Sequence, residues 1–192
     1  MAHPPSHNNS IGPFIELHLT DSTNNYALSQ IHEGLAQHGT IYFAREQTAG
    51  KGQRGKTWSA PKDSSLLVSI VINPKPLTVP QQFWLSACAA VSVCVFFNNY
   101  AKGDASIKWP NDLYWQDRKA GGILIENIIG QGAWQWAVVG IGININQDSF
   151  PGNLLNPVSL KQVTGRDYVL PDLAKELGFI FFNHFNRLSN QI

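Results

Sequence analysis

LYWQDRKAGGILIENIIGQGAWQWAVVGIGININ, residues 113–146, is the stretch that decides the fold class. Three runs rich in aromatic and β-branched residues occupy 113–115, 121–129 and 134–146, and this composition is typical of strands. The short turns QDRK and GQGA join the runs. Strands that follow each other through short turns pair as antiparallel hairpins. We therefore predict a sheet whose pairing in this part of the chain is antiparallel.

The remaining sequence adds strands and helices that alternate without a regular βαβ rhythm. The pattern over 79–101 has Pro80 in its first turn and is apolar nearly all round, which predicts a buried central helix. We predict an α+β domain, with helices packed on a mixed, mostly antiparallel sheet. No linker divides residues 1–192, and the polar, Pro-rich residues 1–12 are expected to be loose. Further strands are predicted at 14–19, 40–46, 65–72 and 106–109, and further helices at 21–35 and 170–188.

The composition bounds the classes of function. The chain has 192 residues and 43% hydrophobic content, which suffices for one domain with a substantial core. Its net charge of +1 gives no overall basic field, so we expect neither nucleic acid nor a membrane surface as a partner. No signal peptide opens the sequence, and no apolar run is expected to approach the roughly 20 residues of a membrane span. These features indicate a cytoplasmic protein.

The two cysteines, Cys88 and Cys94, lie in the apolar run LSACAAVSVCVFF. Their spacing does not place them on one face of a helix and matches no common metal-ligand pattern. We interpret them as buried thiols in a reducing compartment.

The segment QTAGKGQRG, residues 47–55, is a candidate anion-binding loop. It has the G-x-G-x-x-G spacing, but no helical pattern follows it, so a dinucleotide-binding turn is excluded. It lacks the G-K-[ST] ending of a P-loop. What remains is a flexible loop whose backbone amides, together with Lys51, Arg54 and Lys56, can close over a phosphate.

Two other polar segments have a plain structural explanation beside a functional one. DSTN, residues 21–24, contains residue types that cap helices. KWPNDL, residues 108–113, places an amide and a carboxylate in a turn, and Pro, Asn and Asp all form turns. Neither segment decides alone between structure and chemistry.

The strand region carries two further candidates. In RKAGGILIE, residues 118–126, Lys119 precedes a Gly-Gly pair, which is either a solvated hairpin lysine or a place where the backbone approaches a ligand closely. In GIGININ, residues 140–146, Asn144 and Asn146 share one face of an apolar strand. Buried amides need partners, and a ligand is one of the candidates.

In this order, the motifs DSTN, QTAGKGQRGKTW, KWPNDL, RKAGGILIE and GIGININ resemble those of the biotin protein ligase catalytic domain, over about residues 14–146. The resemblance implies a fold akin to class II aminoacyl-tRNA synthetases. It implies that biotin and MgATP form biotinyl-5′-adenylate and pyrophosphate, and that a lysine of a biotin carboxyl carrier domain, from acetyl-CoA carboxylase or a related carboxylase, then accepts the biotin. A homodimer is compatible with it.

The resemblance also implies roles for individual residues. Lys119, Lys51 and Arg54 would stabilise the charge that gathers when a carboxylate attacks the α-phosphate. Asp112 would either hold Mg²⁺ through water or accept the proton of the incoming lysine. The implied biotin contacts are Ser22, Thr23, Asn24, Gln47, Gly50, Lys51, Lys119, Gly121 and Gly122. The implied ATP contacts are Gly52, Gln53, Arg54, Trp58, Asn111, Lys119 and Asn144.

Some features depart from the family pattern. The family loop usually reads Gly-Arg-Gly-Arg, whereas residues 50–53 read Gly-Lys-Gly-Gln. We expect no N-terminal DNA-binding domain and therefore no DNA partner, and a C-terminal small β-barrel that is absent or truncated. Two alternatives are a lipoate or octanoyl ligase or transferase of the same fold, and a biotin-binding protein that lacks transfer activity.

Overall fold

The structure, a computed structural model, describes residues 11–152 and 154–191, so the expectation for residues 1–12 lies almost entirely outside the described residues. The strands are β1 (Phe14–Leu17), β2 (Ile41–Ala44), β3 (Ser65–Ile72), β4 (Ala105–Lys108), β5 (Asp112–Trp115), β6 (Arg118–Gly130) and β7 (Ala133–Asn144). The helices are α1 (Thr23–His32), α2 (Gln82–Ala101), α3 (Leu160–Thr164) and α4 (Leu170–Gln191), with short 3₁₀ turns at Gln53–Gly55 and Val79–Gln81.

The seven strands form one sheet in the order β1-β2-β3-β7-β6-β5-β4. Strands β1 and β2 pair in parallel, and the other five pairings are antiparallel. The predicted α+β class with a mixed, mostly antiparallel sheet is therefore confirmed. Strand β6 begins earlier than predicted, because Arg118 and Lys119 already pair with Trp115 and Tyr114.

Side chains of successive strand residues point to opposite faces of this sheet. One face, which we call the core face, carries the main hydrophobic cluster and is covered by α2, α3 and α4. The other face carries α1, which packs through Ala27 on Tyr42, Val71 and Val138. We call it the cavity face, since the candidate site described below opens on it.

Helix α2 is the predicted buried central helix. A capping box precedes it, in which the Gln81 side chain accepts hydrogen bonds from the backbone N–H and the hydroxyl of Thr78, each at 2.9 Å. Leu85, Val93 and Phe96 are fully buried in the main cluster. The helical run Val79–Ala101 nevertheless has 23 residues and contains an 18-residue stretch with a mean hydropathy of 1.4. The expectation that no apolar run approaches the length of a membrane span is therefore wrong, although a core helix of this kind has the same length and composition.

Both cysteines are free thiols on α2. Cys88 is buried, and burial raises its pKa to about 12. Cys94 is half-buried, and burial raises its pKa as well. The interpretation as buried thiols is therefore confirmed for Cys88, whereas Cys94 is only partly buried.

Candidate active site

A cavity of about 370 Å³ opens on the cavity face of the sheet. Its walls are the start of α1, a loop over residues 47–58 that we call the glycine loop, the turn before β5, and strands β3, β6 and β7. All predicted site residues line it except Gly50, Gly121 and Asn144. The lining residues are Ser22, Thr23, Asn24, Gln47, Lys51, Gly52, Gln53, Arg54, Lys56, Thr57, Trp58, Leu67, Trp109, Pro110, Asn111, Asp112, Lys119, Gly122, Ile123, Leu124, Gly140, Ile141 and Gly142.

Two glycines of β7 leave room for side chains of this site. A Cβ on Gly140 would lie 2.3 Å from Oδ1 of Asn24, and a Cβ on Gly142 would lie 2.7 Å from the Trp58 ring. These two glycines were not predicted as site residues. Their spacing of two within an apolar strand was the available signal, because it places both on one face.

The Trp58 indole lies close to Gly122 of β6 and Gly142 of β7. Its ring is 3.5 Å from the position of a Cβ on Gly122 as well as 2.7 Å from one on Gly142. The buried indole N–H has no hydrogen-bond partner among the described residues. Buried indole N–H groups usually find a partner, so this donor is available to a ligand, and the ring offers a face for stacking.

A polar wall bounds the cavity. It consists of Thr23, Asn24 and Gln47, which line the cavity, and of the buried Ser69, which contacts Thr23 and Asn24 but is not itself a lining residue. The backbone N–H of Thr23 donates to Oε1 of Gln47 at 2.7 Å, and the Thr23 hydroxyl oxygen lies 3.0 Å from the same atom. The Ser69 hydroxyl lies 2.8 Å from Oγ1 of Thr23 and 2.6 Å from Oδ1 of Asn24. Neutral groups of this kind can read a fixed pattern of donors and acceptors without burying a charge. Ser69 was missed, and its signal was a lone hydroxyl in the apolar run SLLVSIVI.

The DSTN segment does more than cap α1. Ser22 occupies the N-cap position, but its side chain makes no capping hydrogen bond. It is 2% exposed and lines the cavity. The neighbouring Asp21 carboxylate accepts a 2.5 Å hydrogen bond from Asn25, which is the main reason that the pKa of Asp21 is lowered.

Lys119 and Asp112 form an ion pair inside the cavity. The ammonium Nζ lies 2.7 Å from Oδ1 of Asp112, and the Asn111 amide donates to the same oxygen at 3.2 Å. The Lys119 backbone is held on both sides, since its N–H donates to Asn156 O at 2.8 Å and its C=O accepts from Val158 N–H at 2.9 Å. The lysine is thus a positioned cation and not a freely solvated hairpin residue.

The glycine loop folds back on itself at the mouth of the cavity. Gly52 N–H donates to Lys56 O at 2.7 Å, and Trp58 N–H donates to Gly50 O at 2.9 Å. Arg54 has a φ of +56°, which turns the chain at the tip of the loop. Lys51, Arg54 and Lys56 all line the cavity, so the loop presents its cations to this space.

The three predicted residues outside the lining have structural contacts. A Cβ on Gly50 would lie 2.3 Å from Trp58 O, and one on Gly121 would lie 2.7 Å from Gly142 O, so both positions let two backbones approach. The buried Asn144 amide donates to Val158 O at 3.1 Å. Its predicted contact with the nucleotide remains a prediction.

Asn146, the second asparagine of the GIGININ motif, also makes hydrogen bonds within the protein. Its amide exchanges two hydrogen bonds with the backbone of Tyr168, at 2.9 and 3.0 Å. Both amides of GIGININ therefore fasten the chain that follows β7.

Among residues 11–152 and 154–191, no three His, Cys, Asp or Glu side chains lie together as a metal cluster. Mg²⁺ in nucleotide sites is commonly held by one or two carboxylates and by the substrate phosphates. Asp112 is the one acidic residue among the lining residues and is therefore the protein ligand that fits such an ion.

Known proteins are similar to this chain in sequence and in fold. The model of the biotin/lipoate A/B protein ligase family matches residues 16–144. The bifunctional ligase/repressor BirA of Bacillus spizizenii is 35% identical over 134 residues, which cover 68% of this chain and 41% of that protein. The biotin–[acetyl-CoA-carboxylase] ligase of Mycobacterium tuberculosis is 30% identical over 134 residues, or 67% of this chain and 47% of that protein. The chain thus spans less than half the length of these two relatives.

A solved structure extends the similarity to the fold. The biotin protein ligase from Aquifex aeolicus, solved in complex with biotin and ATP, superposes with a TM-score of 0.78 at 27% identity, over 92% of this chain and 72% of that one. Because the family model matches more than half of the sequence, the chain belongs to the biotin/lipoate A/B protein ligase family.

Proposed function

We propose that the protein is an ATP-dependent biotin protein ligase, which activates biotin as biotinyl-5′-adenylate and transfers it to a lysine of a carrier protein. The observation that carries this proposal is one cavity that joins a neutral polar wall, a positioned lysine and a cationic loop. Its volume of about 370 Å³ is within the range of about 300–1,000 Å³ typical of small-molecule sites.

In the proposed first step, a biotin carboxylate oxygen attacks the α-phosphorus of ATP and pyrophosphate leaves. Two anions must approach each other, so the step needs positive charge at the point of attack. Lys119 supplies an ammonium from β6, and Lys51 and Arg54 supply charge from the glycine loop. The polar wall would hold the ureido ring, and the Trp58 face would stack on adenine.

In the proposed second step, the amine of a carrier lysine attacks the acyl carbon of the mixed anhydride and AMP leaves. The attacking amine must lose a proton, and the Asp112 carboxylate lies beside Lys119 at 2.7 Å. Asp112 therefore serves either as the acceptor of that proton or, through water, as a ligand of Mg²⁺, which as part of MgATP neutralises phosphate charge when bound. The partner we propose is the biotin carboxyl carrier domain of acetyl-CoA carboxylase or of a related carboxylase.

A lipoate or octanoyl transferase is the competing proposal within the family. Such transferases use a cysteine nucleophile, whereas Cys88 and Cys94 lie on α2, and neither lines the cavity. A raised pKa makes Cys88 a poor nucleophile at neutral pH. The observations favour the biotin ligase.

The test is release of pyrophosphate from ATP with biotin, lipoate, octanoate or no acid, followed by transfer of label to a carrier domain. A biotin ligase releases pyrophosphate only with biotin and then labels the carrier lysine. Release with lipoate or octanoate in place of biotin would indicate a ligase of the same fold for that acid, whereas a cysteine-dependent transferase would release no pyrophosphate with any of these acids. Tight biotin binding without any pyrophosphate release would indicate a biotin-binding protein that lacks ligase activity.

A further inference from the structure

Glu126 lies next to the candidate site without a role in the reaction described above. It is on β6, where it shares a face with Gly122 and Leu124, two residues that line the cavity. Its side chain is 28% exposed, and its two carboxylate oxygens have different partners. Oε2 accepts a hydrogen bond from Asn24 at 2.7 Å, and Oε1 lies 3.5 Å from Nζ of Lys51.

The first contact fixes the direction of the hydrogen bonds in the polar wall. Nδ2 of Asn24 faces Glu126 and the Leu124 carbonyl, which both accept only, so the amide cannot be reversed there. Oδ1 of Asn24 therefore faces Ser69, whose single hydroxyl hydrogen is donated to it at 2.6 Å. The Ser69 oxygen is then left as the acceptor for the Thr23 hydroxyl, whose Oγ1 lies 2.8 Å away, and Oε1 of Gln47 keeps the Thr23 backbone N–H as its donor.

The second contact reaches the glycine loop. Lys51 is 42% exposed and belongs to the glycine loop. Among the described residues, its contact with Glu126 is the one ion pair between this loop and the sheet. The pair with Glu126 therefore ties the glycine loop to β6. An exposed pair of this kind is weak and is screened by salt, which suits a contact that a phosphate must replace.

We propose that Glu126 is a positioning residue that couples the glycine loop to the polar wall, holding Lys51 by charge and Asn24 by a hydrogen bond. The assignment of the wall to biotin rests on the proposed function, whereas the contact with the loop does not. When a phosphate enters, Lys51 exchanges one anion for another, and Glu126 keeps its bond to Asn24.

Two substitutions separate the two contacts. Glu126→Gln keeps an acceptor oxygen for Asn24 and removes the charge that faces Lys51. Glu126→Leu removes both and leaves a buried Asn24 donor with one acceptor fewer. Glu33→Gln, on the exposed end of α1, is the matched control.

The loop contact is tested by tryptic cleavage after Arg54 in the ligand-free protein. We expect Glu126→Gln to raise the cleavage rate about two- to fivefold at low salt, with little difference from wild type at about 1 M salt. In a Lys51→Ala background, Glu126→Gln should not change the cleavage rate further. If Glu126 had only a structural role, the substitution would raise the rate in both backgrounds. Unchanged cleavage, or an equal increase in both backgrounds, would overturn the proposal.

The wall contact is tested by equilibrium binding of biotin. We expect Glu126→Leu to raise the Kd for biotin by about fivefold or more and Glu126→Gln to raise it less. Equal Kd values for wild type and Glu126→Leu would overturn the coupling to the wall. If the wild-type protein itself binds no biotin, the proposed function fails, and the cleavage assay still decides the loop contact.

Discussion

The two faces of the central sheet use one backbone for opposite purposes. On the core face, β7 presents Val139, Ile141 and Ile143, which belong to the main hydrophobic cluster. On the cavity face the same strand presents Gly140 and Gly142, which leave space for Asn24 and Trp58. Side chains that alternate along one strand thus fill the hydrophobic core on one face of the sheet, and glycines leave space for the cavity on the other.

The difference teaches where stability and binding are placed. Side chains on the core face are removed from water, and this burial stabilises the fold. The cavity face gives up such burial at its glycines and keeps polar groups, which a ligand can satisfy. Substitutions on the two faces should therefore affect different quantities, and four experiments test this.

The largest effect is expected on the core face of the molecule. Phe181 of α4 is fully buried, and Phe181→Ala should lower the free energy of unfolding by about 3–5 kcal/mol, because it removes a large buried ring and leaves a cavity. Urea denaturation measures this, and Phe179→Ala, 57% exposed on the same helix, should change it by less than about 1 kcal/mol. The Kd for biotin should stay unchanged in the folded fraction. A large change in that Kd would break the separation between the two faces.

The next effect is expected at Lys119, which lines the cavity. Lys119→Ala should slow biotin-dependent pyrophosphate release about 10²- to 10³-fold, because charge that gathers in the transition state loses its nearest ammonium. The free energy of unfolding should change little, since an ion pair that is a quarter to a third exposed contributes little. Lys108→Ala, an exposed lysine on β4, is the matched control. Turnover within tenfold of wild type would contradict the assigned role.

A third substitution fills the empty side of β7. Gly142→Ala places a methyl group 2.7 Å from the Trp58 ring and should displace that ring. We expect the KM for ATP to rise by about 5- to 100-fold, which corresponds to about 1–3 kcal/mol of stacking. Gly152→Ala, where an added Cβ meets nothing within 4 Å, is the control. An unchanged KM for ATP would show that Trp58 does not hold the nucleotide.

The smallest effect concerns the glycine loop, which belongs to the cavity face alone. Biotin with ATP should protect the bonds after Lys51, Arg54 and Lys56 from trypsin by about fivefold or more, because ligand binding stabilises the closed loop by mass action. Cleavage after Lys102, in the exposed turn that follows α2, should not change. Equal cleavage of the loop with and without ligands would count against a loop ordered by its ligand.

The sequence alone predicted most of the fold. Residues 65–72 were predicted as a buried strand and form β3 with the same bounds, since period-2 and continuous apolar patterns are local properties of the chain. The boundaries of β6 were wrong because cross-strand pairing, and not local composition, incorporated Arg118 and Lys119 into the strand. The resemblance to the biotin protein ligase family predicted Lys119, Asp112, Trp58 and the polar residues at the start of α1 as site residues, and all of them line one cavity.

Only the tertiary structure decided which of these residues act together. Glu126 is 102 residues from Asn24 and 75 from Lys51 along the chain, yet one carboxylate contacts both. Asn144 is a second case: its type made it a candidate for a ligand, and only the structure shows that its amide donates to the Val158 carbonyl. A sequence pattern determines the face of a strand on which a side chain lies, because that follows from local geometry. It does not determine what lies opposite, because long-range packing brings the partners together.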